Sequence, residues 1–264
     1  MPEPCAPDAF RHHFVDRTRP GAIAEMEALL RSTGLVTLDG LTSRSQVLAF
    51  AKQAMDLVEH RDSDADLLTT IRAATGRPRQ AGYAGFGTGA LAPHTERSSV
   101  PEPPRLMLLA CGKAAGSGGE SLLIDGRTVY AAMHRACPDA VDALARPRTA
   151  YFGNGDGHPT QIFTRHGEGR ISIRLRTDAL ARFSPLAQPY LPQLHAAVAR
   201  NQVPLALKPG QAYLIDNERW LHARNAFTGA RLCWRALGTP HHPMPHGFKP
   251  MTGRTARPRV LELR

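Results

Sequence analysis

The chain has 264 residues, 42% of them hydrophobic, and a formal net charge of +10. That suffices for one sizeable core in one domain, and with no apolar stretch long enough to span a bilayer and no signal-peptide layout, a cytoplasmic protein without a membrane partner is expected. The positive charge allows nucleic-acid binding, and Arg72, Arg77 and Arg79 cluster, as do Arg165, Arg170, Arg174 and Arg176; with no recognised nucleic-acid motif, dispersed surface arginines or an anionic small substrate are the favoured readings.

Residues 1–20 contain Pro and Arg and read as an arm over the surface. The main domain is expected over 21–240, followed by a Pro-, Arg- and His-rich tail at 241–264. Gly34 to Gly40 reads as a short strand bounded by glycines. A helix follows, opened by a Ser43-x-x-Gln46 capping box, with Val47, Phe50, Ala51, Ala54, Met55 and Val58 on one face. Its role is scaffold.

From Thr75 to Gly89 the chain is rich in Gly, Arg and polar residues. Neither a P-loop lysine nor a Rossmann unit surrounds the Gly-x-Gly spacing, so a mobile loop entering the next strand is expected rather than a phosphate cradle. Arg79 and Phe86 are its candidate substrate contacts. Pro104 to Cys111 and Ser121 to Asp125 are strand-length apolar runs separated by a flexible turn at Lys113 to Gly119.

Arg127 to Ala136 and Pro138 to Ala145 read as helices, the second with Pro at its start. Ile171 to Arg176 alternates as a strand, with Ile171, Ile173 and Leu175 inward and the arginines outward. Leu191 to Arg200 reads as a helix, and strands at Val203 to Leu207, Gln211 to Ile215 and Arg231 to Leu237 complete a mainly β pattern with flanking helices. The strand count alone leaves a sandwich open.

The chemistry is concentrated in His94-Thr95-Glu96 and the distant His222. In an extended segment His94 and Glu96 project to one side and Thr95 to the other. Two imidazoles and one carboxylate on one face of a metal leave positions open, the arrangement of non-heme Fe(II) oxygenases. A keto-acid co-substrate chelating that metal has a distal carboxylate, which a buried site must meet with a cation. In Ala230 to Leu237, alternation puts Arg231, Cys233 and Arg235 on one face and Leu232 and Trp234 on the other, an anion site in outline.

These stretches, with Ser117-Gly118-Gly119-Glu120-Ser121-Leu122 and Gly210-Gln211-Ala212-Tyr213-Leu214-Ile215-Asp216-Asn217, occur in the order found in a known family. The chain resembles the taurine dioxygenase (TauD/TfdA) and clavaminate synthase-like Fe(II)/2-oxoglutarate-dependent oxygenases, which include amino-acid hydroxylases of antibiotic pathways. The resemblance implies a double-stranded β-helix, or jelly roll, with helices packed outside. It implies Fe(II) on His94, Glu96 and His222, and 2-oxoglutarate held by Arg231 with help from Ser121, where the family usually has Thr. Arg235 matches an arginine that faces the substrate's acidic group. The segment from His222 to Arg231 is shorter than in relatives, which leaves open an exchange of roles between Arg231 and Arg235. A carboxylate at Glu96 disfavours halogenation, since halogenating members have a small residue there.

The implied reaction consumes dioxygen and hydroxylates a small, carboxylate-bearing, amino-acid-like metabolite, releasing succinate and carbon dioxide. A sulfonate or nucleotide substrate, desaturation and ring closure stay open. So do a zinc site with the same ligands and a basic nucleic-acid-binding protein, although neither requires the arginine pair. Cys5, Cys111, Cys137 and Cys233 show no paired spacing and read as reduced thiols. His12, His13, His241 and His242 read as solvated, and His60, His134, His166 and His195 as surface or hydrogen-bonding residues. Asp216 and Asn217 are expected to cap the turn that aims His222, and Trp220 and Trp234 to be core or wall.

Overall fold

Nearly every residue of the strand Leu106–Lys113 is buried, but on two different sides. In the computed structural model, which describes residues 9–73 and 82–251, Leu106, Leu108 and Ala110 face a helical layer while Met107, Leu109 and Cys111 face a second sheet. A strand covered on both faces needs apolar residues at each position, which is why this run is continuous in sequence.

The strand sits inside a six-stranded sheet ordered Leu35–Leu38, Ala212–Asp216, Leu106–Lys113, Leu232–Pro240, Met55–Leu57, with Thr69–Arg72 also paired to Leu232–Pro240. A four-stranded sheet runs Gln202–Leu205, Ser121–Asp125, Trp220–Arg224, Leu91–His94. Neighbours in both sheets are antiparallel.

Between the sheets, Met107, Leu109, Tyr213, Ile215 and Cys233 pack against Leu123, Leu205 and Trp220. The outer face of the large sheet is covered by Met26 and Leu30 of the helix Ala22–Thr33 and by Val47, Phe50 and Ala51 of Arg44–Ala54. The outer face of the small sheet is covered by helices Gly126–Ala136, Pro138–Leu144 and Leu191–Arg200. Among the described residues no helix is long and apolar enough to cross a membrane.

The capping box is present: the Ser43 hydroxyl accepts the Gln46 N–H at 3.3 Å and the Gln46 side chain accepts the Ser43 N–H at 3.1 Å. The helix is shorter than its periodicity suggests. It ends at Ala54 because Met55–Leu57 is taken up as a strand beside Gly238–Pro240, which buries Met55 in the core. The helix Ala22–Thr33, absent from the sequence reading, is closed by Gly34 at φ 70°, whose N–H reaches the Leu30 carbonyl at 2.9 Å. Ahead of it, the arm is held to the sheet. The Val15 N–H donates to Thr37 O and the Thr37 N–H to His13 O, at 3.0 and 2.8 Å, and Val15 is buried. His13 is half-buried rather than solvated, and burial, with His12 beside it, draws its pKa down to about 4.

Two further expectations are corrected. The segment Lys113 to Gly119 is not a free turn: Ser117–Gly118 pairs with Phe227–Thr228. Arg174 and Arg176 do not point into solvent. Arg174 donates to the Val100 carbonyl, and Arg176 grips Asp178 through both fork nitrogens at 2.7 and 2.6 Å. The strand stops at Ile173, so the alternation that would turn these arginines outward is not continued.

Gly118 requires its glycine, having φ 68° and a position where a Cβ would run into the Ala226 carbonyl oxygen. Gly118→Ala is expected to cost about 1–3 kcal/mol from the strained conformation alone. Chemical denaturation at fixed m-value measures the loss, and unchanged stability would mean that this short ladder does not form in solution.

Candidate active site

His94 ends its strand directly opposite His222 in the antiparallel pair, so residues far apart in sequence meet by register. Their ring centroids are 4.2 Å apart. Glu96 lies just beyond the strand, and Thr95 between them is turned away, its hydroxyl accepting the Leu175 N–H at 3.2 Å. One ligand atom each from His94, Glu96 and His222 falls within 4.8 Å of the others, with His222 Nε2 3.8 Å from Glu96 Oε2.

Neighbouring groups aim these side chains. His94 Nδ1 donates to Ala92 O at 2.8 Å, leaving Nε2 free for the centre. Asn217 grips the backbone of Glu96 from both sides: its Oδ1 accepts the Glu96 N–H at 2.7 Å, and its Nδ2 donates to the Glu96 and Pro104 carbonyls at 3.0 and 2.9 Å. Asp216 takes the turn-capping part expected of the pair, accepting the Glu218 N–H at 3.0 Å and a two-pronged bond from Arg105 at 2.6 and 2.9 Å. Asn217 therefore serves Glu96 more directly than His222. Arg97, next in the chain, has φ 50°, a left-handed conformation that is costly for a side chain and here adjoins a metal-ligand candidate.

The protonation states suit a cation. Burial lowers the pKa of His94, and lowers that of His222 well below its usual value with His94 adding to the effect, so both imidazoles are neutral near pH 7. Burial opposes ionisation of Glu96, but Arg235, His222 and His94 outweigh it and hold the carboxyl at about 2. Two free imidazole nitrogens and an ionised carboxylate form a donor set that fits a divalent transition metal without prior proton loss.

The three side chains line a cavity of about 510 Å³. Of the residues singled out by sequence, Ser121, Arg231, Arg235 and Phe86 also line it. Arg79 lies outside the described residues. Arg231 and Arg235 share a face as alternation required, while Trp234 faces the helices and Cys233 packs between the sheets opposite Cys111. Cys111, Cys137 and Cys233 are free thiols.

The two arginines are differently engaged. Arg235 donates from one nitrogen to Glu96 Oε2 at 2.8 Å, and its other terminal nitrogen approaches His60 Nδ1 and Thr69 Oγ1 at 3.3 and 3.5 Å. Arg231 pairs with no carboxylate among the described residues and rests 5.8 Å from the Phe227 ring centroid. Its charge is available to an anion in the cavity.

Sequence reasoning missed four parts of this wall. Tyr213 is fully buried beside Ser121, and its hydroxyl has no partner at hydrogen-bond geometry among the described residues. Burial pushes its pKa up, so it stays a neutral donor. Its parity with Ile215 in the Gly210 to Asn217 run could have placed it inside. His60 reads as an ordinary lone histidine and nothing local marks it as a neighbour of Arg235. The Arg176–Asp178 pair also lines the cavity, as does Arg224, buried two residues after His222.

Against known proteins, a family model described as "Taurine catabolism dioxygenase TauD, TfdA family" matches residues 8–237, and the chain belongs to that family. Among curated relatives, mitochondrial trimethyllysine dioxygenase from Gallus gallus is 29% identical over 167 residues, covering 54% of this chain and 39% of that protein. Gamma-butyrobetaine dioxygenase from Pseudomonas sp. (strain AK-1) is 28% identical over 217 residues, covering 76% of this chain and 54% of that one. The chain thus spans roughly two fifths to three fifths of the length of the curated relatives it matches. A solved asparagine oxygenase, in complex with Fe(II), 2S,3S-3-hydroxyasparagine and succinate, superposes with a TM-score of 0.66 at 18% identity, covering 83% of this chain and 81% of that one. The non-heme iron oxygenase OrfP, in complex with Fe and alpha-ketoglutaric acid, gives 0.64 at 14%, covering 88% and 84%. At such identities these are likenesses of fold.

Removing the Asn217 grip tests whether it sets the ligand geometry. Asn217→Ala leaves two buried main-chain carbonyls and one N–H to find other partners, and is expected to cost about 1–3 kcal/mol. Affinity for Fe(II) or Co(II) is expected to fall about 10- to 100-fold. Anaerobic metal titration alongside denaturation reads both, and a stability loss with intact metal affinity would make the contact purely structural.

Proposed function

We propose that this chain is an Fe(II)/2-oxoglutarate-dependent dioxygenase that hydroxylates an unactivated C–H bond of a small amino-acid-like metabolite. The observation that carries the reading is the convergence of His94, Glu96 and His222 in the cavity that also receives the unpaired Arg231. The matched family supports the reaction class. We take residues 21–240 as the catalytic unit and its paired sheets as a double-stranded β-helix, in keeping with the oxygenases it superposes on.

In this reading His94, Glu96 and His222 hold Fe(II). Arg231 receives the distal carboxylate of 2-oxoglutarate, with Ser121 and the orphaned Tyr213 hydroxyl as hydrogen-bond donors beside it. The bound iron and co-substrate supply the oxidising chemistry, consuming dioxygen and yielding succinate and carbon dioxide. The chain's own contribution is to fix the ligands through Ala92 and Asn217, to present a cation to one end of the co-substrate, and to wall the substrate with Phe86, His60 and the Arg176–Asp178 pair. Arg235 stays on Glu96 and offers its remaining fork to an acidic group of the substrate. The free charge of Arg231 and the commitment of Arg235 support the assignment of Arg231 to the co-substrate without an exchange of roles.

The relatives act, by their names, on trimethyllysine and gamma-butyrobetaine, and the fold neighbours hold hydroxylated asparagine or arginine. An amino-acid-like substrate, and a place in natural-product formation, are proposed from that company. A zinc hydrolase gives Arg231 and Tyr213 nothing to bind.

Anaerobic titration of the Fe(II)-loaded protein with 2-oxoglutarate should raise the visible charge-transfer absorption of an iron-chelated keto acid. His94→Ala should abolish it and Arg231→Gln should raise the apparent Kd by roughly 30-fold or more, the loss of a charge-assisted bond worth about 2 kcal/mol or more. No absorption from folded, metal-loaded wild type would overturn the reading. Arg235→Ala should keep the absorption, while succinate release stimulated by the true substrate falls at least about tenfold; full turnover in that variant would remove Arg235 from the substrate site.

A further inference from the structure

Arg224 stands two residues beyond His222 on the same strand, directly opposite Ser121 in the antiparallel pair. Its guanidinium is buried and spans three carbonyls of one loop: one terminal nitrogen donates to Gly85 O at 2.9 Å, the other to Gly87 O and Gly89 O at 2.7 Å each. Between those carbonyls, Thr88 O accepts the Phe227 N–H at 2.9 Å. The loop carries Phe86 into the cavity wall and runs into the strand that ends at His94. Of the mobile loop expected over Thr75 to Gly89, residues 75–81 lie outside the described residues, and the described part is strapped at Gly85, Gly87 and Gly89 to the strand that bears His222.

The same guanidinium lies 4.8 Å from the Phe227 ring centroid, and Arg231 lies 5.8 Å from that centroid. Two cations that line the cavity thus meet at one buried aromatic ring, and neither is paired with a carboxylate among the described residues. Carbonyl oxygens accept from both terminal nitrogens of Arg224, but its Nε–H has no partner among the described residues and its charge is left uncompensated, which is costly in a buried place. A dianion beside Arg231 would compensate it.

We propose that Arg224 is a positioning residue: it ties the loop carrying Phe86 to the anion-binding wall, so that a bound dicarboxylate tightens the loop and the tightened loop in turn favours the dicarboxylate. The coupling is reciprocal because both events favour the same arrangement of one guanidinium. The inference rests on the co-substrate reading above, which supplies the dianion. Arginine is required because three carbonyls demand a planar fork, which a lysine ammonium cannot supply while keeping the charge.

The test is amide hydrogen exchange of the full chain, Fe(II)-loaded and anaerobic, with and without 2-oxoglutarate, in wild type, Arg224→Lys and Arg224→Gln. Amides of residues 82–90 should exchange about tenfold faster or more in both variants, with those of Leu106–Lys113 unchanged as a control of fold. 2-Oxoglutarate should slow the loop in wild type and not in the variants. The Kd read from the visible absorption should rise about tenfold in Arg224→Gln and also rise in Arg224→Lys, which keeps the charge but not the fork; a strap with a merely structural role would leave Kd unchanged in Arg224→Lys. Equal loop exchange in all three proteins, or a wild-type loop indifferent to 2-oxoglutarate that demonstrably binds, would overturn the proposal. If wild type gives no absorption, the co-substrate reading fails by itself; with no dicarboxylate bound, the coupling then fails too, and faster loop exchange in the variants would leave Arg224 a strap only. Should Arg224→Gln lose its core protection, the comparison of Arg224→Lys with wild type decides.

Discussion

The antiparallel pairing of Leu91–His94 with Trp220–Arg224 is the contact on which the site depends, because it sets His94 opposite His222. Strand register is unforgiving: a slip of one residue would turn every side chain of the shorter strand to the other face and carry His94 away from the centre. The pair is irregular between His222 and Arg224, so regular ladder bonds alone do not fix it. What secures it lies at the two ends. At the Glu96 end, Asn217 binds the main chain just past His94, and Arg105 anchors Asp216 beside it. At the other end, Arg224 fastens the loop that leads into Leu91. Both fastenings come from the chain flanking His222, so the strand that supplies one ligand also places the segment that supplies the other two.

Electrostatics at the centre are unbalanced in a purposeful way. Glu96 is the sole carboxylate of the triad, and Arg235 already neutralises it. An isolated buried ion pair of this kind contributes little to stability, since desolvation offsets most of its attraction. Its use is positional, holding the carboxylate ionised and pointed while two neutral imidazoles wait beside it. Arg231 and Arg224 then leave the cavity wall with positive charge to spare, which suits a dianionic ligand better than a neutral one.

Sequence reasoning reached the parts of this arrangement that repeat with a local period. His94 and Glu96 share parity, Arg231 and Arg235 share parity, and the structure keeps both relations because each pair lies on or beside a strand. Ser43 and Gln46 form the expected box because capping is decided within one turn of helix. What stayed hidden depends on distant partners. Nothing near His60 reveals that the large sheet brings Arg235 to it, and nothing near Asn217 reveals that its amide will close on the backbone of Glu96. Met55 carries helical periodicity and is nonetheless taken by a sheet edge. Arg176 alternates outward on paper and turns to the cavity because the strand ends before it, at Ile173.

Part of the positive charge is used in the same contacts. Only four of the 33 basic residues are lysines. About half of the arginines that the structure places are exposed, among them Arg11, Arg31, Arg135 and Arg200, and others are fasteners: Arg105 on Asp216, Arg219 on Asp125, Arg44 on Asp66, and Arg170, Arg174 and Arg224 on main-chain carbonyls. A guanidinium can satisfy several carbonyls at once in a fixed plane, and it brings its charge without requiring a carboxylate in return. A chain that straps its loops in this way accumulates positive charge as a by-product of folding. Nucleic-acid recognition would instead place arginines on an open face, free to meet phosphates. Among the described residues, Arg174 and Arg224 thus put part of the positive charge inside the protein, where it fastens loops, while the exposed arginines carry charge on the surface.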